Sequence, residues 1–380
     1  MDIPFVDLHA QYLGIKSEID SAIAEVIAHS SFIRGRHVDA FEQAWAQALK
    51  VKHCVSCANG TDALYIAMRG LGIKPGDEVI TTAHSWIATS ETITQAGGRV
   101  IFCDTQEDTF NIDPSLIEAK ITKATVGIIP VHLCGQAADM DEIMAIAKTH
   151  NLWVIEDCAQ AHLATYKGRP VGTFGNAATF SFYPGKNLGA YGDAGCIVTN
   201  DDALADWTAT FARHGGKGEH IMEGINSRMD GLQAAILNVK LPHLPAWTTA
   251  RRRVAARYND LLRGIDDLIT PRAGEDRSHV YHLYIIGTDK RDSLKRSLAD
   301  SGITTSLNYP KALPFYPAYE YLAYKPADFP VAYRNQSRIL SLPIFPEMSD
   351  EMIEYVADQT KLALGRTRRA GADMPKFAKV

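Results

Sequence analysis

Short apolar runs alternate with segments of helical periodicity between Val51 and Asn200. In one such segment, Leu64, Met68 and Leu71 lie on one face of a helix. Strands that alternate with amphipathic helices favour an α/β fold whose sheet is mostly parallel and lies between helices. The pattern predicts seven strands, at residues 52–56, 78–82, 99–103, 126–132, 152–156, 177–182 and 195–199.

The pattern changes after Asn200, where the helical segments become longer. Two of them, at 229–241 and 246–263, are separated by Pro242 and Pro245, which should interrupt a helix. We therefore predict a large domain over residues 1–245, a smaller α+β domain over 246–365 and a loose tail over 366–380. Within the smaller domain the pattern predicts strands at 282–287 and 303–308 and helices at 291–300, 332–340 and 350–364.

The composition is typical of a globular protein, with 46% apolar and 22% charged residues. A net charge of −5 gives no overall basic field, so neither a nucleic-acid partner nor a membrane partner is expected. No apolar run approaches the roughly 18 residues of a membrane span, and the first residues are acidic where a signal peptide is basic. The six cysteines are scattered, which favours reduced thiols and a cytoplasmic protein. Cys54 and Cys57 form a C-x-x-C without a second pair, and we interpret them as packing residues rather than zinc ligands.

Ligands of open α/β sheets bind beyond the carboxyl ends of the strands, so polar residues that follow a strand are the first candidates. Gly60 and Thr61 join a predicted strand to a predicted helix, where backbone N–H groups could cradle a phosphate or the residues could simply cap the helix. Glu156 and Asp157 end a buried strand. An ion pair with an arginine, a helix cap or a cationic ligand nitrogen would satisfy their charges.

Two further candidates follow strands of the same predicted sheet. Lys186 lies in a turn after the strand at 177–182, and its neighbours are small or apolar. Such surroundings lower the pKa of an amine and make it a nucleophile, although most lysines in turns are simply solvated. Trp86 is either a core aromatic residue or a flat platform for a ligand ring.

These four features together suit pyridoxal 5′-phosphate (PLP). This cofactor needs a lysine for its Schiff base, a carboxylate at its pyridine nitrogen, a phosphate cradle and a flat surface behind its ring. Competing nucleotide motifs do not fit the sequence. The glycines from Gly189 to Gly195 have the wrong spacing for a dinucleotide fingerprint, and Gly185-Lys186 lacks the remaining residues of a P-loop.

Several segments also carry a resemblance to a known family. The chain resembles the DegT/DnrJ/StrS-type sugar-nucleotide aminotransferases, which are PLP-dependent enzymes with the aspartate-aminotransferase-like fold, called fold type I. The likeness runs nearly from end to end. It is carried by the segments IPFVDL (3–8), NGTDAL (59–64), IEDCAQAH (155–162), SFYPGKNLG (181–189), NSRMD (226–230) and LQAA (232–235).

The resemblance implies a role for each candidate residue. Lys186 is similar to the family's lysine that holds the cofactor and shuttles protons, and Asp157 to the partner of the pyridine nitrogen. Trp86 would stack on the ring, and Gln160 would contact the side that carries the ring hydroxyl. The resemblance also implies a homodimer with shared sites. The phosphate would be held by Gly60, Thr61, Ser181 and, from the other subunit, Asn226.

The family transfers an amino group, usually from L-glutamate, to a keto-sugar carried on a nucleoside diphosphate, either dTDP or UDP. The segment around Tyr183 is similar to the branch that aminates C-3, because C-4 enzymes more often have a histidine at that position. Substrate contacts are expected at Tyr183, Asn308 and Tyr309. Where many relatives have His, His and Gln, this chain has Asn308, Pro314 and Tyr316. The identity of the sugar therefore stays open.

Four alternatives to C-3 amination remain at this point. The acceptor could be a C-4 keto-sugar or a cyclitol. A dehydratase on the same scaffold carries histidine at the lysine position, so Lys186 argues against that activity. A regulator that keeps the cofactor without turnover is the last alternative, although the sequence contains no additional DNA-binding helix pair.

Overall fold

A central sheet of seven strands carries the candidate site at the carboxyl ends of its inner strands. The computed structural model describes residues 1–365, so the predicted loose tail at 366–380 lies outside the described residues. The strands are β1 (His53–Cys57), β2 (Glu78–Thr82), β3 (Arg99–Cys103), β4 (Thr125–Ile129), β5 (Trp153–Asp157), β6 (Thr165–Tyr166), β7 (Arg169–Pro170), β8 (Ala177–Ser181), β9 (Gly195–Thr199), β10 (Arg277–Ser278), β11 (Tyr284–Gly287) and β12 (Ile339–Leu342). The helices are α1 (Leu8–Gly14), α2 (Lys16–Ala28), α3 (Arg36–Leu49), α4 (Gly60–Gly70), α5 (Ala88–Gln95), α6 (Met140–His150), α7 (Asp202–Phe211), α8 (Gly231–Lys240), α9 (Leu244–Leu261), α10 (Arg291–Asp300), α11 (Pro330–Asn335) and α12 (Asp350–Ala363).

The central sheet has the strand order β1-β9-β8-β5-β4-β2-β3. β9 runs antiparallel to both of its neighbours, and the other pairs are parallel. Each of the seven predicted strands is therefore present, and the predicted α/β class with a mostly parallel sheet is confirmed. The strand predicted at 126–132 ends earlier, as β4 at Ile129, because Pro130 has no N–H group to continue the ladder.

Helices cover both faces of this sheet. On one face, α3 and α8 pack in a cluster that includes Trp45 and Leu237, and on the other face Leu64 of α4 belongs to a second cluster. Successive strand residues point to opposite faces, so Val154 joins the first cluster and Ile155 the second. Because both faces are buried, the strands are apolar along most of their length. Polar side chains at their ends therefore stand out as functional candidates.

The C-terminal part of the chain has a hydrophobic cluster of its own. Helices α9, α10 and α12 pack there beside the antiparallel pair β11–β12, with Tyr258 and Leu294 fully buried. Ile3, near the start of the chain, packs in the same cluster and forms a bridge with Ile303. The division of the chain at residue 245 stays a prediction.

Two predicted elements of this C-terminal part are wrong. Residues 303–308 form no continuous strand; Ile303 and Ser306 make only isolated bridges. The helix predicted at 332–340 is split, because α11 ends at Asn335 and the buried run that begins at Ile339 pairs with β11 as β12. Such pairing is decided by distant partners, which local periodicity does not report.

The interruption predicted at Pro242 is confirmed, whereas the one predicted at Pro245 is wrong, because this residue lies within α9. A 3₁₀ turn at Leu241–His243 separates α8 from α9. Pro245 lies in the first turn of α9, where a missing N–H group costs no helical hydrogen bond.

The cysteines lie in packed surroundings. All six are free and buried, and Cys54 and Cys57 belong to β1. Both positions agree with the interpretation of these residues as packing residues. Among residues 1–365, no helix combines the length and the apolar character needed to cross a bilayer.

Candidate active site

A cavity of about 560 Å³ lies where β5 and β8 end beside the start of α4. With the exception of Asn226, every predicted site residue lines it, including both Lys186 and Asp157. Asn226 is exposed and forms a backbone bridge with Arg213, away from this cavity. The structure therefore brings the predicted cofactor groups together within one chain, while a contact from Asn226 would have to come from another subunit.

The predicted phosphate cradle is the amino-terminal end of α4. Asn59 caps this helix, and its Oδ1 atom accepts a hydrogen bond of 2.8 Å from the Asp62 N–H group. The first helical residue, Gly60, is so close to β8 that a Cβ atom on it would lie 2.7 Å from Cβ of Ser181. Gly60 thus allows the end of β8 and the free N–H groups of the helix to face the same space.

We expect Gly60→Ala to weaken retention of the cofactor by roughly tenfold and to lower the free energy of unfolding by about 1–3 kcal/mol, because the helix must move away from β8. Gly185→Ala is the matched control, since a Cβ atom there would meet only the Tyr183 ring, at 3.8 Å. PLP titration of the cofactor-free protein would measure the difference. Equal affinity in the two variants would contradict the proposed cradle.

Asp157 is held by two donors at the floor of the cavity. The Ala159 N–H group donates to Oδ1 at 3.1 Å, and the Thr89 hydroxyl donates to Oδ2 at 2.9 Å. Burial raises the pKa of Asp157, while these two donors and Lys186 oppose that shift. Thr89 was not predicted from the sequence, and neither was Ser85, whose hydroxyl lies 2.9 Å from that of Thr89. Ser85 and Thr89 are four positions apart in the chain, and this spacing next to Trp86 could have indicated that their side chains lie close together.

The neighbouring carboxylate, Glu156, points to the opposite face of β5 and serves the fold. It accepts hydrogen bonds from His132 and from three backbone N–H groups, those of Gly172, Phe174 and Gly175. Within the part of the chain that the structure describes, Glu156 forms neither the arginine pair nor the helix cap considered for this position. Because the Ala138 N–H group donates to Nδ1 of His132, the ring proton resides on Nε2 and points at Glu156. Although His132, Glu156 and Cys158 are close together, this pairing occupies the ring nitrogens that a metal would need.

Lys186 reaches the cavity from the turn that follows β8. Burial lowers its pKa to about 8, and the nearby Asp157 carboxylate only partly opposes this effect. No hydrogen bond from its amine occurs within residues 1–365. The amine therefore has the properties of a nucleophile that is close to neutral at physiological pH.

This pKa predicts a pH dependence for the cofactor-free protein. Below about pH 8 the Lys186 amine carries a proton and cannot attack the PLP aldehyde, so the rate of covalent capture should rise as pH increases. The rate should then level off above that value. Stopped-flow absorbance between pH 6.5 and 10 would measure the profile. A rate that keeps rising to the ordinary lysine pKa would contradict the shift.

The upper part of the cavity is aromatic. The indole of Trp86 is 59% exposed, which excludes the core alternative, and its centroid lies 5.7 Å from that of Tyr309. Gln160 is held on both sides: its Oε1 atom accepts from the Cys134 N–H group at 2.7 Å, and its amide donates to the Tyr309 hydroxyl at 2.9 Å. The Trp86 ring and the oriented Gln160 amide are thus available to contact a ligand that lies against the Asp157 carboxylate.

The donor set fits PLP. The amine, the buried carboxylate, the helix N-terminus and the indole are the four groups that this cofactor requires. The Thr179 hydroxyl adds an independent sign of a ligand site, because it lines the cavity and is buried without a hydrogen-bond partner among residues 1–365. Arg251 and His282 also line the cavity and were not predicted. The roles of the individual residues stay predictions.

Comparison with known proteins identifies the family. The family model of the DegT/DnrJ/EryC1/StrS aminotransferases matches residues 14–361. A pleiotropic regulatory protein of Geobacillus stearothermophilus is 47% identical, over 94% of this chain and 98% of that protein. A dTDP-3-amino-3,4,6-trideoxy-alpha-D-glucose transaminase of Streptomyces venezuelae is 39% identical, over 94% and 95% of the two chains. A UDP-2-acetamido-2-deoxy-3-oxo-D-glucuronate aminotransferase of Pseudomonas aeruginosa is 41% identical, over 93% and 98%.

Solved structures agree with these relatives. The crystal structure of S. venezuelae DesV in complex with a ketimine intermediate has a TM-score of 0.94 and 38% identity, and covers 96% of this chain and 99% of that chain. NtdA from Bacillus subtilis, with pyridoxamine phosphate (PMP) bound, has a TM-score of 0.88 and 31% identity, and covers 96% and 86%. The family depends on PLP, which confirms the cofactor predicted from the sequence. The chain therefore belongs to the DegT/DnrJ/EryC1/StrS family and is an aminotransferase.

Proposed function

We propose that this aminotransferase moves an amino group from L-glutamate to C-3 of a 3-keto-sugar linked to dTDP or UDP, as a cytoplasmic homodimer. The observation that carries the proposal is the shared cavity of Lys186 and Asp157, with the start of α4 beside them. Relatives at 39% and 41% identity whose names specify a 3-amino or a 3-oxo sugar support the acceptor.

Each residue of the cavity has a part in this reaction. When bound, PLP supplies an electron sink that withdraws the electron pair released at the α-carbon of the donor. Asp157 would hold the proton on the ring nitrogen. Lys186 would hold the cofactor through Nζ and, once released by the donor, carry a proton between the α-carbon and the cofactor. Trp86 would lie against the ring, and Gly60, Thr61 and Ser181 would bind the phosphate.

The donor and the acceptor would use the same cavity in turn. The first half of the cycle releases 2-oxoglutarate and leaves the amino group in the site. The second half delivers that group to the sugar ketone, so the kinetics should be ping-pong. Tyr183, Asn308 and Tyr309 line the cavity and are the proposed contacts to the sugar nucleotide.

A panel of aminated sugar nucleotides would test the acceptor. The purified enzyme would be incubated with 2-oxoglutarate and each of the dTDP- and UDP-linked 3-amino and 4-amino sugars, together with an aminocyclitol. We expect a 3-amino sugar to lose its amine with formation of glutamate. Loss of the amine from a 4-amino sugar or a cyclitol alone would overturn the proposed position of transfer.

A regulatory role is the second candidate, because one relative is named a pleiotropic regulatory protein. The two functions differ in the first half-reaction. An enzyme is yellow with PLP bound, is bleached by L-glutamate and releases 2-oxoglutarate. A cofactor-binding regulator keeps its colour. Lys186 supports turnover and also argues against the related dehydratases, which carry a histidine at that position.

The proposed shared site predicts complementation between two variants. Asn226 lies outside its own cavity, so a contact with the cofactor phosphate has to cross the dimer. At limiting PLP, the Asn226→Ala variant and the Lys186→Arg variant should each give weak or no turnover. A heterodimer of the two variants should recover activity, because one of its sites combines the intact Lys186 of one subunit with the intact Asn226 of the other. Separately tagged subunits allow the heterodimer to be purified and measured. No gain in the heterodimer would contradict the shared site.

A further inference from the structure

Two hydroxyl groups connect the wall of the candidate active site to the Asp157 carboxylate. The Thr89 hydroxyl lies 2.9 Å from Oδ2 of Asp157, and the Ser85 hydroxyl lies 2.9 Å from that of Thr89. All three residues line the cavity and are no more than 5% exposed. The cavity therefore contains an ordered chain of two hydroxyls that ends on the carboxylate.

The hydroxyl of Thr89 differs from the other buried hydroxyls of α5. Ser90 and Thr92 are also fully buried, but their hydroxyls donate to backbone carbonyls three and four residues earlier in the chain, at 3.0 and 2.7 Å. This local bond is the common one for serine and threonine in a helix. Thr89 instead directs its hydroxyl to Asp157, an acceptor 68 residues away. The contact is therefore not a consequence of helix formation.

The direction of the hydrogen bonds follows from counting protons. An ionised carboxylate only accepts, so Thr89 donates its single hydroxyl proton to Asp157. The Thr89 oxygen can then only accept at its contact with Ser85, so the Ser85 hydroxyl donates to Thr89. Both protons thus point toward the carboxylate. Each hydroxyl polarises the next one, which strengthens the bond that reaches Asp157.

These donors oppose the effect of burial on Asp157. Burial raises the pKa of this carboxyl group, whereas the Ala159 N–H group and the Thr89 hydroxyl lower it. Thr89 is the only side chain that donates to this carboxylate within residues 1–365. Its backbone N–H group also donates to the Trp86 carbonyl, at 3.2 Å. One residue therefore holds both the carboxylate and the segment that carries the indole.

We propose that Thr89, supported by Ser85, is a positioning residue that keeps the proton of the cofactor's pyridine nitrogen on the ring rather than on Asp157. The inference rests on the role given to Asp157 in the proposed function and identifies the groups on which that role depends. An acid takes a shared proton when its charged form is not stabilised, and the two hydroxyls stabilise the charged form. They act through the carboxylate, so both halves of the cycle should depend on them to a similar degree.

Protonation of the ring nitrogen can be measured without turnover. The wild type, Thr89→Val and Thr89→Ser would be loaded with PLP that carries ¹⁵N in its ring, and the ¹⁵N chemical shift would be recorded at neutral pH. Valine has nearly the shape of threonine but no hydroxyl, so we expect the ratio of protonated to unprotonated nitrogen to fall by about tenfold. Thr89→Ser retains the donor and should restore most of the ratio. An unchanged ratio in Thr89→Val would overturn the proposal.

Thr92→Val is the matched control. It removes the same group from the same helix, but the lost bond is one to a backbone carbonyl. We expect the half-reaction with glutamate to stay within about twofold of the wild type in Thr92→Val, to slow by about tenfold in Thr89→Val and by about threefold in Ser85→Ala. Equal losses in Thr92→Val and Thr89→Val would show that only the packing of α5 matters, and the proposal would be wrong.

Combination with Asp157→Asn separates this inference from the proposed function. The amide carries no charge for Thr89 to stabilise, so Thr89→Val should slow the half-reaction by less than about twofold in this background, against about tenfold in the wild type. A tenfold loss in both backgrounds would contradict an action through Asp157. If Asp157→Asn itself changes neither the ¹⁵N shift nor the rate, the role of Asp157 in the proposed function fails. If Asp157→Asn changes both and Thr89→Val changes neither, the inference about Thr89 fails alone.

Discussion

Replacing Lys186 with arginine is expected to abolish the covalent bond between the protein and the PLP aldehyde and to lower turnover by at least about 10³-fold. Arginine keeps a positive charge near Asp157, but its pKa is too high to provide a neutral nucleophile. The variant should still bind the cofactor noncovalently, because the start of α4 and the Asp157 carboxylate are unchanged. Its absorbance spectrum should therefore be that of free rather than protein-linked PLP.

Borohydride reduction followed by peptide mass spectrometry would measure the bond. In the wild type, the reduced adduct should be found on the peptide that contains Lys186, and in Lys186→Arg it should be absent. Lys240 is the internal control, since burial also lowers the pKa of its amine to about 8, but its Nζ atom donates to the Gly189 carbonyl at 2.7 Å. An adduct on Lys240, or on any other lysine, would refute the assignment of Lys186.

Replacing Asp157 with asparagine should lower the rate of the half-reaction with glutamate by about 10²–10³-fold, because the amide is nearly isosteric but carries no charge to hold the proton of the ring nitrogen. The amide oxygen can still accept from the Ala159 N–H group, and the Thr89 hydroxyl can turn to accept from the amide NH2 group while it donates to Ser85. The free energy of unfolding should therefore change little. Rapid-mixing absorbance and thermal unfolding would measure the two quantities on the same sample.

Glu156→Gln is the paired control for this variant. The two acids are adjacent on β5 and almost fully buried, but Glu156 accepts hydrogen bonds from backbone N–H groups on the face away from the cavity. An amide in its place turns a donor toward one of these groups, which should cost about 1–3 kcal/mol of stability. The half-reaction should be affected less than in Asp157→Asn. The reverse order of effects would show that the catalytic carboxylate has been misassigned.

The sequence predicted the site residues that lie at the end of a strand or in the turn that follows it. Lys186 and Asp157 follow apolar runs, and in an α/β sheet the carboxyl ends of parallel strands meet at one edge, so their proximity could be inferred without coordinates. The exposure of Trp86 could not be inferred from the sequence, because an aromatic residue after a strand can lie either in the core or in a cavity. The structure shows that Trp86 lines the cavity and is not a core residue.

Contacts between distant segments were not predictable. Arg251 lies in a run of three arginines within a helix whose periodicity indicates only which face is buried. Its side chain is held in the cavity wall by carbonyl groups that lie 30 and 93 residues away in the chain. The same limitation explains β12, whose first two residues were included in the helix predicted at 332–340 and which pairs with β11 in the fold. Sequence patterns report neighbours along the chain, whereas these features depend on neighbours in space.

The antiparallel strand β9 has a consequence for how firmly Lys186 is held relative to Asp157. Ser181 at the end of β8 pairs with Gly195 at the start of β9, so the loop that carries Lys186 leaves and rejoins the sheet at adjacent points. Both anchors belong to the same rigid sheet as Asp157. Arg251 and Tyr309, in contrast, come from the C-terminal part of the chain. Lys186 is thus tied at both ends of its loop to the sheet that carries Asp157, so substitutions in the C-terminal part of the chain can reshape the wall of the cavity without separating these two residues.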